Sequence, residues 1–94
     1  MSEAAPSREL LLASHAFPGE YILKAFGPGT DGFRSAVHAV AAEIVGETRV
    51  TSTERSTKSA RRICITLILA AESVDDVIAV YRRVAVIPDL VMLL

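Results

Sequence analysis

Arg61-Arg62-Ile63-Cys64-Ile65-Thr66-Leu67-Ile68-Leu69-Ala70-Ala71 is the stretch on which the fold turns. Read as a strand, it puts Ile63, Ile65, Leu67 and Leu69 on one face. Cys64, Ile68 and Ala70, with Thr66, fall on the other. A strand that is apolar on both sides belongs in the middle of a sheet and is covered on both sides. The apolar run is far shorter than the ~18–20 residues a membrane helix needs.

The segment before it, Glu47 to Thr57, is rich in Thr with polar alternation, as suits an exposed strand. A turn at Lys58-Ser59-Ala60 joins the two. Further upstream, Glu20 to Phe26 alternates as Tyr21/Leu23/Ala25 and Ile22/Lys24/Phe26, which predicts another strand. Gly27-Pro28-Gly29 ends it, since Pro cannot continue a ladder. Thr30 or Asp31 is placed to cap a helix whose stripe is Phe33, Val37, Val40, Ala41 and Ile44, with Gly46 as its stop. Downstream, Ser73 is expected to cap a second helix with stripe Val74, Val77, Ile78, Tyr81 and Ala85. Asp75 and Asp76 in its first turn, and Arg82 and Arg83 near its end, complement the helix dipole. Pro88 ends the connection, and Leu90 to Leu94 is read as a last strand.

The order is strand, helix, strand, strand, helix, strand. Right-handed crossovers place the first and third strands side by side in the middle. The expected class is α+β: a ferredoxin-like βαββαβ sandwich, with two helices on one face of a four-stranded antiparallel sheet. Residues 1–16 are expected to be a flexible N-terminal segment able to form a helical turn and dock through Leu10-Leu11-Leu12. Residues 17–94 form the domain.

The chain has 94 residues, 51% hydrophobic and 22% charged, which is the composition of one globular domain. Ten basic residues face eleven acidic ones, which excludes a globally basic nucleic-acid binder. The single cysteine excludes an intrachain disulfide and a Cys-based zinc cluster. Met1-Ser2-Glu3-Ala4-Ala5-Pro6 has no basic stretch followed by an apolar core and does not read as a signal peptide. A cytoplasmic location is expected, and a lone thiol suits a reducing compartment.

Two helices cover only one side of such a sheet. The other side would present apolar side chains to water, and soluble monomers rarely carry such a patch beyond a few hundred Å². A cover is therefore expected: a second copy, which makes a homodimer through the open sheet face, the Leu10–Leu12 segment, or another protein.

Several pieces carry a family resemblance. They are Phe17-Pro18 and Tyr21 ahead of Lys24-Ala25-Phe26-Gly27, Ser56-Thr57-Lys58-Ser59, Thr66 through Ala71-Glu72-Ser73, Tyr81-Arg82, and Val91-Met92-Leu93-Leu94. Together they resemble the YbeD-like family of small bacterial domains of unknown function, over about residues 17–94. The resemblance implies a βαββαβ fold similar to that of ACT regulatory domains, which bind amino acids, and no catalytic activity. The family commonly has Pro-Ser-Ser-Lys-Gly between the middle strands. Here the stretch is Arg55-Ser56-Thr57-Lys58-Ser59, so a turn of different shape is expected.

Two candidate sites follow. The first is the loop with Gly27, Gly29, Thr30 and Asp31, which precedes a helix start where N–H groups favour a carboxylate or phosphate. Tight-turn geometry explains the same glycines, and Asp31 would repel an anion. The following Arg34 resembles the anion-binding arginine of acylphosphatases. Those enzymes also need an Asn, which this chain lacks, so Arg34 is read as a solvated helix residue. The second is the basic hairpin with Arg55, Ser56, Thr57, Lys58 and Arg61, a candidate phosphate contact. RNA readers on this fold stack bases on sheet aromatics, and Ile63, Cys64, Ile65 and Thr66 supply none.

No enzyme is expected. His15 and His38 have no partner at motif spacing, Cys64 is read as buried in a strand, and the carboxylate pairs Glu43/Glu47 and Asp75/Asp76 suit helix ends and surfaces. No metal-ligand spacing and no cofactor motif is present. The function expected is a non-catalytic regulatory or interaction module that senses a small molecule or docks on a protein, with a nucleic-acid-contacting domain as the alternative.

Overall fold

The computed structural model describes residues 5–57, 59 and 61–94. Its elements are α1 (Arg8–Ser14), β1 (Gly19–Pro28), α2 (Asp31–Val45), β2 (Val50–Ser56), β3 (Arg62–Ala71), α3 (Val74–Ala85) and β4 (Met92–Leu93). The four strands form one antiparallel sheet in the order β2-β3-β1-β4. β3 and β1 thus lie in the middle, as the two-sided apolar pattern of β3 and the right-handed crossovers predict.

Register explains the layers. Tyr21, Leu23 and Ala25 pair with Leu69, Leu67 and Ile65, and all six are buried. They form one core with Phe33, Val37, Ala41 and Val45 of α2 and with Val74, Val77, Ile78, Val80, Tyr81 and Val84 of α3. Every buried position on the two central strands has the same parity, so the helices cover one side of the sheet.

Local chemistry sets the boundaries. Thr30 Oγ1 accepts the Phe33 N–H at 3.2 Å and starts α2. Gly46, at φ 100°, ends it in the left-handed region that favours glycine. The Arg49 N–H then bonds to the Gly46 carbonyl at 3.0 Å. Glu47–Arg49 is therefore a 3-10 turn, and the strand expected from Glu47 begins at Val50. Ser73 makes no side-chain cap. The start of α3 is tied by Asp76 Oδ2 instead, which accepts the Glu72 N–H at 3.2 Å. The stripe of α3 ends on Val84, with Ala85 exposed. The last strand, expected over Leu90 to Leu94, is confined to Met92–Leu93 and follows a turn in which Asp89 sits at φ 75°. Ladder-type bonds still flank it, from the Val91 N–H to the Phe26 carbonyl (2.7 Å) and from the Leu94 N–H to the Lys24 carbonyl (2.8 Å).

Residues 8–14 form two helical turns. Ser7 caps them, its Oγ accepting the Leu10 N–H at 3.1 Å. Successive helix residues are about 100° apart, so Leu11 turns into the core while Leu10 and Leu12 point outward. α1 packs on α3, where Arg8 pairs with Asp75. It thus lies on the helix side and does not cover the open face of the sheet.

Beside it, the Tyr21 and Tyr81 hydroxyls meet at 3.0 Å in the core. Burial, and then the bond to Tyr21, push the Tyr81 hydroxyl above its ordinary value near 10. Its folded value exceeds its unfolded one, so its contribution to stability is present below about pH 10 and lost as pH rises further. Stability should fall by about 1.4 kcal/mol per pH unit per such tyrosine once the unfolded chain ionises. Urea midpoints between about pH 8 and 11 test this: Tyr81→Phe should flatten the decline, and an equal decline in both proteins would contradict it.

Candidate functional site

β1 runs two residues past its expected end at Phe26, with Gly27 opposite Ile63 and Pro28 opposite Arg62, and the loop after it is closed upon itself. A Cβ on Gly27 would lie within 2.6 Å of three Phe33 ring atoms, so this glycine is the seat of the ring. The Gly29 N–H donates to the Arg61 carbonyl at 3.1 Å. Thr30 caps α2, and Asp31 takes Arg34 Nη1 at 3.2 Å. The structure therefore brings Gly27, Gly29, Thr30 and Asp31 together, with their polar groups turned toward neighbours in the chain.

Arg34 is more than a solvated residue. Its Nε donates to Glu54 Oε1 at 2.8 Å. That hydrogen bond leads the causes that raise its pKa above an ordinary arginine's, so the guanidinium stays charged. One turn along α2, His38 Nδ1 lies 2.7 Å from Ser52 Oγ, and its Nε2 lies 2.8 Å from Glu47 Oε2. Serine, imidazole and carboxylate in a row are the ingredients of nucleophilic catalysis. Here both ring nitrogens tie α2 to the edge strand and to the turn before it. With the Arg34–Glu54 pair they make a polar seam above β2, where the core does not reach. That is why β2 buries only Val50. The sequence reading missed His38's partners because they lie 9 and 14 residues away. Two periodicities carried the signal: Arg34 and His38 at i,i+4, and Ser52 and Glu54 at i,i+2 behind Val50.

The hairpin residues do not converge. Arg55 sits opposite Cys64 on the open face, whereas Ser56 is opposite Ile63 on the other parity. Thr57 and Ser59 hold the turn through Thr57 Oγ1 to Ser59 Oγ (3.5 Å), and the Arg61 N–H donates to Ser59 Oγ (3.4 Å). Lys58 lies outside the described residues. Among those described, no cluster of three or more His, Cys, Asp or Glu side chains is placed to hold a metal ion. No helix among them is long and apolar enough to cross a membrane.

The open face of the sheet is where the apolar surface collects. Register aligns Arg55, Cys64, Phe26 and Met92 in one row across the four strands. Thr53, Thr66 and Lys24 form the next, bonded through the Lys24 backbone to Leu94, and Thr51, Ile68 and Ile22 the third. Ile22 is 51% exposed, Met92 46% and Leu94 59%. Phe26, Cys64 and Ile68 between them are half-buried by their neighbours alone.

An α+β domain with a four-stranded antiparallel sheet, bare on one side, is thus the class of protein the coordinates define. A model of the family described as "Protein of unknown function (DUF493)" matches residues 13–94, and the chain belongs to that family, the YbeD-like one. Neither a curated protein nor a solved structure matches the chain.

Proposed function

We propose that the chain is a non-catalytic interaction module that assembles with a second copy of itself through the bare side of its sheet. The single observation that carries this is the half-exposed apolar set Ile22, Met92 and Leu94 around Phe26 and Ile68. α1, the one intramolecular cover expected from the sequence, packs on α3 instead. Strands spaced about 4.8 Å apart and rising about 3.3 Å per residue give this face a projected area on the order of 500 Å². Side-chain relief brings it toward the ~800 Å² per partner of a stable interface. The strand order supports a ferredoxin-like sandwich, and the likeness of that fold to ACT domains supports a regulatory role; the lone thiol of Cys64 suits a reducing, cytoplasmic setting. Nucleic acid is the less favoured partner. Phe26 is the one aromatic side chain that the described part of the open face offers for stacking.

An isologous dimer meets every substitution twice. Ile22→Lys combined with Met92→Lys should therefore weaken association at least a hundredfold, equivalent to about 2.7 kcal/mol. Both side chains are exposed in the single chain, so the double variant should keep the parent's far-UV circular dichroism and unfold cooperatively, with a urea midpoint that no longer depends on protein concentration. Unaltered association of the folded double variant would overturn the proposal.

A further inference from the structure

We infer that the same open face holds a binding site for a small organic anion between Lys24 and Arg55. The inference rests on the reading of this face as the functional one: Thr53, Thr66 and Cys64 are too short to reach a second copy seated on the face, so that copy roofs the hollow and the anion enters from the β2 edge. Long side chains stand around short ones here: Lys24, Phe26 and Arg55 surround Thr53, Thr66 and Cys64. The shortfall in the middle leaves a hollow of about 400 Å³, within the range of small-ligand sites. The remaining lining residue, Glu54, has its carboxylate held by Arg34 on the helix side.

Charge and shape name the class of ligand. Arg8, Arg34, Arg49 and Arg83 each pair with a carboxylate. Among the described residues Lys24 and Arg55 have no such partner, and Arg62 shares their parity at the same end of β3. From β1 and β2, two strands apart and one row offset, Lys24 and Arg55 have Cα atoms about 12 Å apart. Their side chains are long enough to converge on one anionic group lying between them. The Thr53 and Thr66 hydroxyls can donate to its oxygens. The Phe26 ring supplies an apolar wall on the opposite side from Arg55. A carboxylate or phosphate with an apolar body of one ring or a short branched chain satisfies all of these.

The test is an amide-resolved NMR titration of the full chain with phenyl phosphate, benzoate and inorganic phosphate, and with a short oligothymidylate. Shifts are expected at Lys24, Phe26, Thr53, Arg55, Cys64 and Thr66 with phenyl phosphate or benzoate, and whichever binds more tightly identifies the headgroup. Arg55→Ala and Lys24→Met should each weaken binding at least tenfold. Phe26→Leu should weaken the aryl ligands and leave inorganic phosphate unchanged. No shift at these positions, shifts confined to residues 27–31, or tighter binding of the oligothymidylate than of either aryl anion would overturn the site. Sedimentation of the same samples separates the two claims. A monomer that binds keeps the anion site and removes the self-association. A dimer whose hollow stays silent does the reverse.

Discussion

Leu11→Ala is expected to lower stability by about 2–5 kcal/mol, the cost of emptying a well-packed leucine site. Leu11 is 2% exposed and belongs to the same core as Tyr81 and Val77, although it precedes the sheet and its two long helices. In a domain of this size each kcal/mol lowers the melting temperature by roughly 4–8 °C, so the loss should be plain in a thermal scan. Leu10→Ala and Leu12→Ala are the controls, because both side chains are more than half exposed. Their effect should stay within about 0.5 kcal/mol. Equal small losses at all three positions would show that α1 does not contribute to the core.

Gly27→Ala is the second large effect, expected to cost about 1–3 kcal/mol through overpacking. The added methyl meets the Phe33 ring, which is nearly fully buried in the first turn of α2 and has the central strand beneath it. Phe33→Leu shortens that side chain and makes room. The double variant should therefore be more stable than the two single losses predict, by roughly 0.5–3 kcal/mol of coupling. Chemical denaturation of all four proteins measures it. Simple additivity would mean that Gly27 does not act by seating the ring, and would return attention to this loop as a ligand site.

Much of the fold was legible because it rests on periodicity. The double-sided pattern of residues 62–71 placed β3 in the middle, and the alternation of Tyr21, Leu23 and Ala25 gave the covered face of β1. Turn chemistry was legible too at Thr30 and Gly46, where a short hydroxyl and a left-handed backbone are required. Three features were not. The Glu47–Arg49 turn carries strand-like residues, and its geometry is set by Gly46 before it. The docking of α1 depends on which of three consecutive leucines turns inward, which the neighbouring helix decides. The seam of Arg34, His38, Ser52, Glu54 and Glu47 joins polar residues through tertiary contact; the i,i+4 and i,i+2 spacings mark the two facing rows, but only the packing of α2 over β2 pairs them.

The candidate site shows the same division. Glycines in a strand-to-helix loop and a basic hairpin were visible as motifs. The hollow on the sheet is built from residues on three different strands, so only the register puts Lys24, Thr66 and Thr53 in one row. Phe26 was visible as an outward-facing residue of its strand, while its place opposite Cys64, one row from Lys24, came from pairing.

Sedimentation equilibrium of the unmodified chain at about 10 µM tests the central claim most directly, since a stable interface of this area holds at such concentrations. Self-association through the bare side of the sheet requires twice the 10.1 kDa mass of one chain. A single species at the chain mass, with Ile22, Met92 and Leu94 in contact with water, would contradict it.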